Sequence, residues 1–374
     1  MSLSGCLSGT RSTVGTSERS TASDSVTQPL SSTETRIRFQ FVPVRSVAYD
    51  GFALPILSPD GCSAAVQISS AADWTTLLAA VEGGVPDAGQ IAIAPLCANS
   101  TAPLLSVTGT DLLLGRSSDS QGFLVESPRL DGSRWIGKVG WQGGEPTWLI
   151  ADEDVNAFAV LGPSGEIAWC HRKRNAEKFA LTVKRGDLVH EIPPPEDGSW
   201  FAPSFSADSK FLYALRLRDG VLAACAFPIA ETISTSPIIS TDLSWRADAR
   251  MAYQTLIPLR SGGDASDPRL YFFHPRFSRI AVWNPLNNHI ALTSPRSAAG
   301  ISISDGRMVT SSTDQLCVEP APVEGSATDP KRTTSIVDSL WIPLGRGAGA
   351  QIIVAHPRNG SLEISRIDLD PPAK

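Results

Sequence analysis

The strongest constraint on this chain is a short pattern that returns along it. Residues 53–67, ALPILSPDGCSAAVQ, and 201–215, FAPSFSADSKFLYAL, match position for position. Pro55 stands opposite Pro203, Ser58 opposite Ser206, Asp60 opposite Asp208 and Gly61 opposite Ser209. Each copy sets a turn-forming cluster in front of a short apolar run. Weaker copies occupy 102–115, 243–256 and 300–312, the second keeping Asp248 and Tyr253 in frame and the third a Ser304-Asp305-Gly306 turn. Degenerate copies occupy 146–162 and 340–356. Starts near 53, 101, 146, 201, 243, 298 and 341 are spaced 48, 45, 55, 42, 55 and 43 residues apart.

A second element sits in the same frame. FAVLGPSGEIAWC, LYALRLRDGVLAAC, IIVAHPRNGSLEIS and IAVWNPLNNHIALT each read as strand, Gly- or Asn-bearing turn, strand. Gly165, Gly220 and Gly360 supply the positive φ that tight hairpins demand. The apolar runs are β-branched or aromatic and too brief for helices. A period in the forties with about four strands per repeat predicts an all-β chain folded as a single β-propeller. Seven starts predict seven four-stranded blades. The last unit has room for only three strands, so the strand-like IRFQFVPVR at 37–45 is expected to complete it and close the ring. Closure removes edges that would otherwise template aggregation. A pair of β-sandwiches or a parallel β-helix would also use short strands, and both stay open at this point.

The domain expected is residues 37–370, behind a Ser/Thr-rich tail at 1–36 and before a C-terminal tail at 371–374. A segment as poor in apolar residues as the first cannot bury enough surface to offset its ordering entropy, and disorder is expected. With 42% hydrophobic residues, 30 Gly and 28 Pro, the rest suits a globular, turn-rich protein. The formal charge of −6 disfavours nucleic acid as a partner, since such binding needs clustered cations. No apolar run is long enough to read as a membrane span.

The P-x-x-S-P-D-G turn at 55–61 and its relative at 203–209 resemble the repeat of TolB-type and tryptophan–aspartate-repeat-like bacterial propellers. The resemblance is clear over two repeats and faint over the others. It implies a structural role for Ser58, Asp60 and Gly61, and for Ser206, Asp208 and Ser209, as turn formers and not as a catalytic group. The second copy departs from the pattern by carrying Ser209 where the first has Gly61.

Compartment is read from cysteines and the first residues. The six cysteines, Cys6, Cys62, Cys97, Cys170, Cys225 and Cys317, contain no C-x-x-C pair, so no zinc site is expected. Cys170 and Cys225 sit inside strand-like runs as small buried thiols. Setting Cys6 aside leaves an odd five, which fits a disulfide framework poorly and favours a reducing, cytoplasmic location. The alternative is an exported lipoprotein, because LSGC at Leu3–Cys6 resembles a lipobox, although only two residues precede it and a leader needs a charged and an apolar segment.

Catalytic chemistry is poorly represented. No G-x-S-x-G elbow occurs, and GPSGE at 162–166 fits a hairpin turn better. The acidic run Asp152, Glu153 and Asp154 reads as a solvated turn, and GRGAGAQ at 345–351 lacks the Lys-Ser/Thr of a phosphate loop. The histidines are dispersed, so neither metal nor cofactor is expected. Two clusters remain as candidate binding determinants. Arg172, Lys173 and Arg174 open a basic stretch in an acidic protein, suited to charge steering. Trp135, Trp141 and Trp148 lie within 14 residues and suit a partner's side chains or a sugar. The function expected is a non-catalytic, monomeric scaffold that binds a protein partner through loops on one face or the central funnel. The alternative is an enzyme or ligand-binding propeller with a small polar, carbohydrate-like molecule in that funnel.

Overall fold

A computed structural model describes, with short exceptions, residues 34–70, 89–246, 260–320 and 332–368. The segment Leu3–Cys6, most of the 1–36 tail, Gly220, Asp248, Tyr253, the turn at 304–306 and the tail at 371–374 lie outside the described residues. Those described form strands and turns, with no helix among them.

In chain order the strands fall into consecutive groups of four. The first comprises Ile56–Leu57, Ser63–Ser70, Gly89–Pro95 and Leu105–Ser106. The second comprises Leu113–Ser118, Gly122–Pro128, Arg134–Gly140 and Thr147–Ile150, and the third Val155–Leu161, Ile167–Arg172, Ala180–Arg185 and Leu188–Ile192. These two share one sheet, joined where Val155 pairs in parallel with Arg134. The fourth runs from Gly198–Phe205 to Ile239–Arg246, the fifth from Arg260–Ser261 to His289–Leu292, and the sixth from Ala299–Ile303 to Arg332–Ile336. In the seventh, Ile342–Arg346, Gln351–Arg358 and Ser361–Asp368 are joined by Phe41–Ala48 from the other end of the chain. The first strand of each group touches the first strand of the next, and Ile342–Arg346 touches Ile56–Leu57.

Interior strands pack on both faces, which explains why they read as unbroken apolar runs and not as alternating ones. Ala64, Ala65, Ala94, Ala214, Ala224 and Ala226 are all fully buried, and their small size lets neighbouring sheets approach. The core is distributed between groups. Val47, Val66, Leu96, Leu344, Ile353 and Ile364 form one cluster between the seventh group and the first. Full burial of each such side chain is worth about 1.5–3 kcal/mol.

The repeated turn owes its form to one carboxylate. Ser58 Oγ donates to Asp60 Oδ1 at 2.6 Å and accepts from the Ser63 amide at 2.8 Å, while the Cys62 amide donates to Asp60 Oδ1 at 2.9 Å. The second copy repeats this: Ser206 Oγ to Asp208 Oδ1 at 2.6 Å, Phe211 amide to Ser206 Oγ at 2.9 Å, and Lys210 amide to Asp208 Oδ1 at 3.0 Å. Gly61 takes a φ of 69° and Ser209 a φ of 56°. The left-handed region is inexpensive for glycine and strained for serine. Gly61 is further constrained, because a Cβ there would stand 2.5 Å from the Arg346 carbonyl oxygen of the seventh group.

Three expectations need correction. The repeat frame at 102–115 and 146–162 straddles junctions: Leu105–Ser106 ends the first group while Leu113–Ser118 opens the second, and Thr147–Ile150 ends the second while Val155–Leu161 opens the third. Two successive strands look the same in sequence whether they pair or pass from one group to the next. The cysteine count also misled, since Cys62 and Cys97 form a disulfide across 35 residues. Cys170, Cys225 and Cys317 are buried and lie outside any disulfide. In addition, the tail boundary at 36 falls inside the sixth group's sheet, where Glu34–Arg36 pairs in parallel with Arg332–Thr334.

Ser209→Gly is expected to raise stability by about 0.5–1 kcal/mol, the left-handed strain relieved less the added chain entropy. Gly61→Ala is expected to lower it by roughly 2 kcal/mol or more, through positive φ and the contact with Arg346. Urea denaturation of both variants checks these signs. The Ser58 hydroxyl and then the Cys62 amide hold the Asp60 carboxyl below its ordinary value of 3.8. Its contribution is therefore complete above pH 3.8 and lost as pH falls through the lowered folded value. The melting-temperature deficit of Asp60→Asn should be constant from pH 5 to 7 and narrow in stronger acid.

Candidate protein-binding face

The sequence's two candidate clusters meet at one end of the second and third groups. Pairing of Arg134 with Val155, and of Val155 with Arg172, sets three strand ends side by side. The connections leaving them are the hairpin loop at 129–133, the link at 151–154 and the loop at 173–179. Gly132, at a φ of 85°, makes the first of these turns possible.

Side chains tie the three connections together. Arg174 Nη2 donates to Asp131 Oδ2 at 3.2 Å, and its Nε and Nη2 both donate to the Glu153 carbonyl at 3.2 Å. The hydroxyl and amide of Ser133, with the Arg174 charge beyond them, hold the Asp131 carboxyl below the usual carboxylate range. Trp135 Nε1 donates to the Asp152 carbonyl at 2.9 Å, and Arg129 lies over the Trp135 ring at 4.2 Å. Trp148 meets Trp135 edge-on, with centroids 5.5 Å apart. Asp154 approaches His171 Nε2 at 3.0 Å, and Glu191 lies 3.6 Å from Nδ1. Arg172 donates to the Ala176 carbonyl at 2.6 Å and lies over Phe179. Lys173 is exposed.

Trp141 does not join this face. It follows Gly140 at the far end of the same strand, where its Nε1 donates to the Asp119 carbonyl at 2.9 Å and its ring packs on Phe123. Burial raises the nearby Asp119 carboxyl, but a 2.5 Å hydrogen bond from Lys138 and the amides of Gln121 and Gly122 outweigh it and leave it lowered. Of the three tryptophans, Trp135 lies on the candidate face, Trp148 meets it edge-on while packing on the core, and Trp141 packs on that core from the opposite end.

Beneath the loops lies a buried polar network. Arg134 and Glu126, 1% and 4% exposed at their side chains, pair at 3.1 Å. The other oxygen of Glu126 accepts the Phe158 amide at 2.6 Å, where Phe158 takes a φ of 59° at a register shift. Asn156 Nδ2 donates to the Arg134 carbonyl at 3.2 Å and to Asp152 Oδ1 at 2.7 Å, and Trp169 Nε1 donates to Asn156 Oδ1 at 2.9 Å. Removing one partner of such a pair strands a buried charge, which is strongly destabilising. The loops therefore stand on a braced base.

The sequence missed Arg129, Leu130 and Asp131. Their signal was the Asp131-Gly132 turn between two apolar strands, the standard mark of a hairpin. Leu130, at that hairpin's tip, is 97% exposed. The acidic run 152–154 is a turn, as expected, and each of its residues holds a neighbour. Among the described residues no group of three or more His, Cys, Asp or Glu side chains is arranged to hold a metal. The arrangement offers an apolar tip, edge-to-face aromatics and cations on fixed loops, which are contact chemistry.

No family model and no curated protein matches the chain at a significant level. Solved structures do. The β-propeller domain of Cps50 (Swd1) from Myceliophteria thermophila aligns with 87% of this chain and 99% of its own, at 12% identity and a TM-score of 0.52. A puromycin-hydrolyzing peptidase of Mycobacterium tuberculosis aligns with 92% of this chain at 11% identity and a TM-score of 0.50, and the match covers 56% of the peptidase. TolB from Acinetobacter baumannii aligns with 47% of this chain and 40% of its own, at 22% identity and a TM-score of 0.35. The chain folds as an all-β propeller, the fold it shares with the Cps50 (Swd1) domain, as the repeated turn implied.

Proposed function

We propose that this chain is a non-catalytic, monomeric scaffold of seven blades that binds a protein partner through the loops at 129–133, 151–154 and 173–179. The observation that carries the reading is Leu130, almost wholly exposed on a hairpin whose base is pinned by Arg174 and the Arg129–Trp135 stack. A large apolar side chain held out on rigid loops loses little conformational freedom when it docks, so more of its burial appears as affinity. Tryptophan and arginine beside it are the residue types that dominate protein interfaces. Lys173 adds a charge that steers approach, while Arg172 and Arg174 contribute by fixing loop shape.

The test uses exposed positions whose change leaves the bracing intact. Affinity capture from the native extract should recover a partner with the wild-type chain and lose it at least about tenfold, or about 1.4 kcal/mol, with Leu130→Asp or Lys173→Glu. Melting temperatures of both variants should equal that of the wild type. Undiminished capture by both folded variants overturns the assignment of this face.

A further inference from the structure

We propose that Cys62 and Cys97 are bonded in the working protein, that the chain therefore folds in an oxidising compartment, and that this bond staples the seam between the first and seventh groups of strands. The argument begins with how the cysteines are distributed. Among the five in the described residues, the two that are accessible are the two that pair: Cys97 is exposed and Cys62 half-buried. Cys170 and Cys225 are fully buried and Cys317 nearly so, each on an interior strand. Burial pushes the Cys225 thiol up to about 11, with Arg216 opposing weakly, so it stays protonated and unreactive. Among the described residues, the accessible cysteines are the two in the disulfide and the three outside it are buried, which suits oxidising surroundings.

Position supports the same conclusion. Ser63 pairs with Pro95 at the end of an antiparallel ladder, and the Leu96 amide donates to the Cys62 carbonyl at 2.8 Å. The fold itself brings the two cysteines together, with Cα atoms 4.8 Å apart, within the span a disulfide bridges. The residues flanking the bond hold the seventh group. Gly61 packs on Arg346 and Gly347, and Arg366 donates to the Leu96 carbonyl. The bond thus joins two of the points on the first group that the seventh group grips.

Formation requires an acceptor for two electrons. The thiolate of exposed Cys97 attacks a disulfide on an external dithiol oxidant, forming a mixed disulfide and releasing one oxidant thiol. The Cys62 thiolate then attacks Cys97 Sγ and displaces the second oxidant thiol. Two protein thiols are oxidised to one disulfide, the oxidant is reduced to its dithiol, and the two protons end on the oxidant's sulfurs. Of the two locations the sequence left open, the exported one supplies such an oxidant and the cytoplasm opposes it.

Acid-quenched cells producing the full chain from its own gene, alkylated first with N-ethylmaleimide and then, after reduction, with iodoacetamide, test the bond by peptide mass spectrometry. Cys62 and Cys97 should carry only the second label; the first label on either cysteine in most molecules overturns the proposal. For the staple, reductant should lower the melting temperature of the purified wild-type chain by about 5 °C and leave a Cys62→Ser/Cys97→Ser double variant unmoved. An unchanged melting temperature in wild-type protein shown to be reduced overturns it.

Discussion

Everything in this architecture depends on one antiparallel pairing between the two ends of the chain. Phe41–Ala48 runs beside Ser361–Asp368, so the seventh group takes its fourth strand from residues more than 300 positions away. Such a contact closes nearly the whole chain into one loop, and its entropic cost has to be met by local adhesion. The seam supplies that adhesion in several forms: the Val47–Ile364 cluster, Arg45 donating to the Ala102 carbonyl, and two glycines where backbone meets neighbour. A Cβ at Gly345 would stand 2.8 Å from Leu57 Cδ2, so the first and seventh groups interlock from both sides. Pro43 sits at the register shift of the added strand, which is the outermost of its sheet, a place where proline is tolerated.

A firmly built frame explains why functional variation belongs in the connections. Loops on a rigid scaffold vary without disturbing the core. Here, one set of connections is more than a covering of the strand ends. Glu126 and Arg134 neutralise each other inside the sheet, and the spare oxygen of Glu126 satisfies the Phe158 amide at an irregular, left-handed backbone. Asn156 extends that network to Asp152, whose carbonyl holds Trp135. Leu130 at the surface is thereby linked through a short series of contacts to a buried ion pair. A side chain carried in this way would dock pre-organised, which is the physical ground for proposing this end as the binding face.

Legibility in the sequence followed the range of the interaction. Turns made within six residues were readable: Ser58 with Asp60, Ser206 with Asp208, and the hairpins at Gly165, Gly360 and Asn288, all with positive φ. Strand-forming runs and an approximate period were readable for the same reason. Junctions were not, because Leu105–Ser106 followed by Leu113–Ser118 carries the same local signal as a hairpin. Nor were pairings across long separations, such as Arg174 with Asp131 or Cys62 with Cys97, for which composition offers no geometry. The basic stretch was visible as charge, but only the structure shows that Arg172 and Arg174 hold loops while Lys173 stands exposed.

Backbone hydrogen exchange tests whether the two ends of the chain lie in one sheet. In the intact chain, the amides of residues 41–48 that face Ser361–Asp368 should exchange as slowly as those of Ser361–Asp368 and lose protection together with them as denaturant is raised. Exchange of the entire 41–48 segment within seconds, beside a protected 361–368, would contradict the claim.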